Sequence, residues 1–250
     1  MESFEDQGLL LSARLHGEGG GVATLFTREH GRFAGYVHGA QSQNKRALLT
    51  PGNLLHTNWS AKTHEQLGTY QLDMLQQFSA YIMDDKDKLN ILQSLCSLCD
   101  ASLPEREAQT DFFDTTLATL TVLTHADDMN MIWENYIKWE ITLLKVLGFS
   151  LDFSRCAGGG NAQTLAYISP KSGCAVSYAA GEPYKEKLLP LPSFLKPNAS
   201  PTCEEDIELG LNITATFLEK WAFAHHTKGM PEQRIFLQKS LADRALAANT

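Results

Sequence analysis

Five short runs of alternating apolar and polar residues, separated by glycine-rich turns, fill the first seventy-five positions, and they constrain the fold more than any other feature. A period of two places successive side chains on opposite faces of a strand, so each run can bury one face and wet the other. Gly8–Leu15 carries Leu9, Leu11, Ala13 and Leu15 on one side. HGEGGG (His16–Gly21) reads as a hairpin turn before a β-rich run at Val22–Thr27. Gly31–His38 puts Phe33, Gly35 and Val37 on one face, Asn53–Ala61 groups Leu55, Thr57 and Trp59, and Gly68–Leu75 groups Tyr70, Leu72 and Met74. Strands of this kind and number fit a small closed barrel.

From about Gln76 the period lengthens to that of a helix. Asp84-Asp85 can cap a helix whose stripe is Leu89, Leu92, Leu95, Cys96 and Cys99, and a second helix is expected from Gln109 to Thr124. A third, opened by Asp127-Asp128, carries Ile132, Tyr136, Trp139, Leu143 and Leu147, with Gly148 where a C′ glycine belongs. Residues 150–203 are irregular apart from the β-like LAYIS; helices are expected again over Cys203–Phe223 and Pro231–Leu246. The expected class is therefore α+β: a strand-built domain over 1–78, then a helical domain over 79–250 interrupted at about 150–200.

No apolar run approaches the ~18 residues of a membrane span, and the acidic opening MESFEDQG is unlike a secretory signal, so a cytosolic protein is expected. Five scattered cysteines do not make a disulfide framework. The formal net charge of −8 argues against a nucleic-acid partner until its distribution is considered. Residues 1–80 hold six Lys/Arg against seven Asp/Glu, residues 81–150 five against twelve, and residues 151–250 ten against ten. The acid sits in the middle of the chain, which leaves room for a local basic surface elsewhere.

Most chemical motifs fail on inspection. Gly17–Gly21 lacks the third glycine of a dinucleotide fingerprint and leads into a strand, where that fold needs a helix. There is no phosphate-binding GxxxxGK[ST]. Cys96 and Cys99 continue a leucine stripe and read as core. HEQLG (His64–Gly68) has no second zincin histidine, and His225-His226 stands alone. Asp84, Asp85 and Asp87, the nearest thing to a nuclease metal cluster, read better as a helix start.

One stretch stands out, GRFAGYVHGAQSQNKR (Gly31–Arg46). With Phe33, Gly35 and Val37 inward, alternation turns Arg32, Ala34, Tyr36 and His38 outward, a cation, a ring and an imidazole that together can hold single-stranded nucleic acid. Lys45 and Arg46 follow in a loop with no acidic residue between Gly31 and His64, and Arg14 and Lys62 can flank the same side. A merely polar outer face followed by a polar loop accounts for the same residues.

The segments DQGLLLSARLHGEGGGVATLFTREHGRFAGYVHGAQSQ, LTPGNLL, LGTYQLD, WENYIKWEITLLKVLGFSLDFSRC, AYISPKSGCAVS and GEPYKEKLLPLPSFL resemble, in order, the RecO family of bacterial recombination mediators. The resemblance implies an OB-fold domain followed by an α-helical one. It implies a non-enzymatic protein of the cytoplasm and nucleoid, with no cofactor and no small-molecule substrate. Its activities would be binding of single- and double-stranded DNA, annealing of complementary strands, and help in loading RecA. Its partners would be RecR and the single-stranded-DNA-binding protein. The DNA surface implied maps onto Arg32, Lys45 and Arg46. Many members carry a four-cysteine zinc site after the GF motif. Here Cys156 matches the first cysteine, but Gly159, Ser177 and Ala180 fill the other positions and Cys174 is out of place, so metal is not expected. The competing reading is a protein-binding adaptor whose barrel has little DNA affinity.

Overall fold

The strands β1 (Glu2–His16), β2 (Gly20–Thr27), β3 (Gly31–His38), β4 (Asn53–Ala61) and β5 (Thr69–Gln77) close into a barrel in the order β1-β2-β3-β5-β4, the five-stranded OB arrangement. The barrel is filled by Leu10, Ala23, Leu25, Phe33, Val37, Leu55, Trp59, Ala61, Tyr70 and Leu72. Between β3 and β4 lies a short helix, α1 (Gln43–Leu48), where the sequence suggested only a loop. Leu48 and the following Leu49 pack against the barrel core, and Asn53 Nδ2 donates to the carbonyls of Ala47 and Leu48.

The first strand departs from its expected pattern. It starts at Glu2, before the expected Gly8, and its register with β2 slips between Leu10 and Ser12. A slip of one residue exchanges inward for outward. Leu10, paired with Leu25, therefore points into the barrel, whereas Leu9, paired with Phe26, points out and is nonetheless fully buried. Beyond the slip Ala13, although opposite the core residue Ala23, is exposed, and Leu15 is 61% exposed, because the hairpin overshoots the barrel.

After the short turn α2 (Phe78–Tyr81), the helices α3 (Lys86–Ser102) and α4 (Thr110–His125) cover this outer apolar strip. Asp85 caps α3 by accepting from the N–H groups of Asp87 and Lys88, and Cys96 and Cys99 lie in its buried stripe. Phe26 meets Phe113 edge-on at 5.3 Å and Phe112 at 5.9 Å. The linker between the two helices pairs with β3: Arg106 N–H donates to the Arg32 carbonyl at 2.9 Å. The approach is so close that a Cβ on Gly31 (φ +72) would sit 1.9 Å from the Glu107 carbonyl oxygen.

The computed structural model describes residues 2–17, 19–63 and 65–248, in two compact units; Glu18 of the hairpin turn and His64 of HEQLG lie outside the described residues. The first unit is drawn from Met1–Thr124 with Pro231–Leu237 and holds everything above. The second is drawn from His125–Met230 with Gln238–Thr250. Its α5 (Met129–Val146) is capped by Asp128 and followed by Gly148 at φ +90. Glu140 of α5 is wholly buried and accepts from Tyr136 Oη at 2.7 Å and from the Thr214 hydroxyl. The irregular stretch contains a three-stranded sheet, β7-β6-β8, of Leu165–Ile168 (β6), Ala175–Ser177 (β7) and Leu189–Pro190 (β8), with the helical turn α6 (Tyr178–Gly181) between the last two. Leu165 and Ile168 are buried in it, and Tyr167 Oη donates to Glu182. Thr214 belongs to α7 (Glu204–Phe217), which ends in a π-helical turn, Leu218–Ala222, where a continuous helix was expected. α8 (Glu232–Ala248) begins one residue after Pro231. Among the described residues no helix is long and apolar enough to cross a membrane.

Candidate nucleic-acid interface

Strand register decides which outward side chains become neighbours. Arg14 pairs with Val22, Val22 with Tyr36, Tyr36 with Thr69, and Thr69 with Ser60, so one outer row crosses all five strands. The next row along the hairpin is His16, Gly20 and His38. Lys62 opens the β4–β5 turn just past Ser60, and the last residue of that turn, Gly68, accepts from the Tyr36 N–H at 2.9 Å. The turn leading to α1 is tied to the hairpin by Gln41 Nε2 donating to the Gly17 carbonyl at 3.3 Å. Arg14 and Tyr36 thus share one outer row, with His38 in the next; Lys62 lies at the end of β4 beside that row, and Lys45 and Arg46 lie on α1, in the segment that leaves β3. His16 and Gly20 join them, and neither could be placed there before the register was known.

Arg32 is not among them. It faces outward as alternation requires, but it lies opposite Phe26, in the half of the β2–β3 face that α3 and α4 cover. Its Nε donates to the Leu103 carbonyl at 2.7 Å, Nη2 reaches Glu105 at 3.2 Å, and Nη1 lies 4.0 Å from Asp100. With a side chain only 19% exposed and surrounded by carboxylates, Arg32 straps the barrel to the α3–α4 linker. This sets Arg32 apart from the other cations expected on the DNA surface, because alternation selects the face of a strand but not which part of its length another element covers.

The other Lys and Arg of the barrel and Arg106 of the α3–α4 linker divide in the same way. Arg28 holds Asp114 through Nε and Nη2 at 2.9 and 2.8 Å, and Arg106 lies 4.7 Å from the Phe33 ring centroid and donates to the Gln66 carbonyl. By contrast, Arg14, Lys45, Arg46 and Lys62 have no carboxylate in ion-pairing range among the described residues. Arg14, Arg46 and Lys62 are exposed, and Lys45 is half-buried. Tyr36 and His38 meet edge-on, with ring centroids 4.8 Å apart.

No group of three or more metal-ligating side chains occurs among the described residues. Around Cys156 the donor chemistry does not suit zinc. Its sulfur lies 3.4 Å from the Ser177 hydroxyl and receives the Ser177 N–H at 3.2 Å, so a residue at an expected ligand position donates to the thiol in place of a metal. Burial pushes the pKa of this thiol up, but the Ser177 hydroxyl and N–H and the N–H groups of Gly160 and Gly158 outweigh it and bring the pKa down to about 7. Burial dominates at Cys96 and Cys99, pushing Cys96 up to about 12 and Cys99 well above the ordinary range. The 240 nm absorbance difference between the wild type and Cys156→Ser should therefore titrate with a midpoint near pH 7; a midpoint at about 8.5, the ordinary value, would mean that these donors do not act on the sulfur.

Residues 1–78 match the family model described as Recombination protein O N terminal, and residues 83–226 match Recombination protein O C terminal. Curated relatives include the DNA repair protein RecO of Rhodospirillum centenum, 44% identical over 234 residues that cover 92% of this chain and 91% of the relative. The DNA repair proteins RecO of Rhodospirillum rubrum and Caulobacter vibrioides are each 38% identical, the first covering 94% of both chains and the second 96% of this chain and 98% of its own. Two family models spanning most of the chain and relatives matched nearly end to end place it in the RecO family of DNA repair and recombination proteins.

Proposed function

We propose that this chain binds single- and double-stranded DNA on the open half of its barrel face, anneals complementary strands there, and assists RecA loading together with RecR and the single-stranded-DNA-binding protein. In this reading residues 1–78 grip DNA and residues 79–250 serve chiefly as a partner surface. The observation that carries it is the sorting of charge within the first unit. Arg28 and Arg32 are neutralised by carboxylates, whereas Arg14, in the Tyr36 row, and Lys45, Arg46 and Lys62, in the segments that follow β3 and β4, have no such partners among the described residues.

Cations without internal partners are available to phosphates, and each phosphate neutralised releases condensed counterions. Because no side chain needs to read base edges, the grip is indifferent to sequence, as annealing requires. Annealing then follows from lowering the repulsion between two strands held on one surface; no bond is made or broken. Four such contacts predict a slope of about −3 for log affinity against log salt on a single strand, a loss of roughly fifty-fold between 50 and 200 mM.

The test is fluorescence anisotropy with a labelled oligonucleotide across that salt range, followed by strand annealing with and without the single-strand-binding protein. Salt-sensitive binding and accelerated annealing are expected. Binding that is absent, or insensitive to salt, would leave the adaptor reading in its place.

A further inference from the structure

Tyr36 does not stand straight off the sheet. A Cβ built on Gly20 would lie 1.7 Å from Tyr36 Oη and 2.1 Å from its Cζ, so the phenol end of the ring occupies the space that any other residue at position 20 would fill. The direct partner of Tyr36 across the ladder is Val22, two residues away, so the side chain has leaned along the hairpin from the Val22 level to the Gly20 level. There it lies between His16 and His38, which flank Gly20 on the neighbouring strands. Gly20 has no unusual backbone angle, so it is needed for room rather than for conformation.

We propose that Gly20 is a positioning residue for the Tyr36 ring, and that the ring laid over it is a seat on which an unpaired base of a single strand stacks. The inference rests on the proposed DNA-binding role of this surface and adds to it a preference for nucleic acid with exposed base faces. A duplex presents only backbone and groove edges to such a ring, whereas a single strand can offer a π-face of any sequence. The charged residues around the seat then hold the backbone, and the ring supplies the part of the affinity that needs a base. A methyl group at position 20 forces the ring to swing away and removes that part alone.

The experiment compares a labelled oligothymidylate with a backbone of equal length made of abasic sites, measuring affinity for both by anisotropy. The quantity read is the ratio of the two affinities, which backbone charge does not affect. Stacking of one base makes this ratio roughly 5- to 150-fold in the wild type. Gly20→Ala and Tyr36→Leu should each bring it close to one while preserving the salt slope, and Tyr36→Phe should preserve it. Should Gly20→Ala alone fold poorly, the comparison of Tyr36→Leu with Tyr36→Phe still tests the seat. Gly20→Ala in the Tyr36→Leu background, where the clash is gone, should leave the ratio of Tyr36→Leu unchanged.

A wild-type ratio of one with intact salt-sensitive binding overturns the seat but not the DNA-binding role. Loss of the ratio in Tyr36→Leu but not in a folded Gly20→Ala overturns the role of Gly20. Failure of the wild type to bind either probe overturns the underlying reading as well.

Discussion

Replacing Lys45 and Arg46 together by alanine should weaken binding to a single-stranded oligonucleotide by roughly sixty-fold at 50 mM salt but only about tenfold at 200 mM. The arithmetic follows from counterion release: two lost phosphate contacts remove about 1.4 from the magnitude of the log–log slope, and the loss scales inversely with salt raised to that power. K45E/R46E should do worse at both concentrations, since reversal adds repulsion to the lost attraction. Both residues lie in the last turn of a six-residue helix that buries none of its own residues, so the substitutions should leave the melting transition nearly unmoved. Anisotropy titrations at four or five salt concentrations decide the matter. Parallel log–log plots for variant and wild type would remove α1 from the interface, even if the absolute affinity had fallen.

How much of this was legible beforehand depended on whether the information was local. The strands β3 and β4 show their bounds in the sequence because alternation and flanking turns are local signals. Asp85 and Asp128 announce their helices for the same reason. The slip between Leu10 and Ser12 is not local: it exists only relative to β2, and the leucine-rich run gives no sign of where inward becomes outward. α1 is not legible in the sequence because six residues, none of them fully buried, are too few to show a helical period. In the candidate site the composition was readable and the arrangement was not. Arg32 and Tyr36 look equivalent on one outward face of β3, and the difference between them is set by a linker some seventy residues away. The role of Gly20 needed the ladder register, which brings it beneath a ring sixteen positions later in the chain.

The same linker provides the second large effect, on stability. Gly31 is at φ +72, where a side chain costs about 1–2 kcal/mol, and its missing Cβ makes room for the Glu107 carbonyl. Gly31→Ala should therefore lower the unfolding free energy by at least about 3 kcal/mol, since backbone strain and displacement of the linker add. Gly31→Asn tolerates the angle better but keeps the clash, so it should recover only a small part. Arg32→Ala removes a charge-assisted bond to Leu103 and the pair with Glu105, and should cost about 1.5–3 kcal/mol. Because Arg32 is withdrawn beneath the helices, the folded Arg32→Ala protein should bind DNA within about twofold of the wild type, with the same salt slope. Urea titration and anisotropy on the same preparations separate the two roles. An Arg32→Ala protein of undiminished stability whose salt slope has fallen by about 0.7 would return this residue to the DNA surface, and the covering of the lower half of the β2–β3 face would have to be abandoned with it.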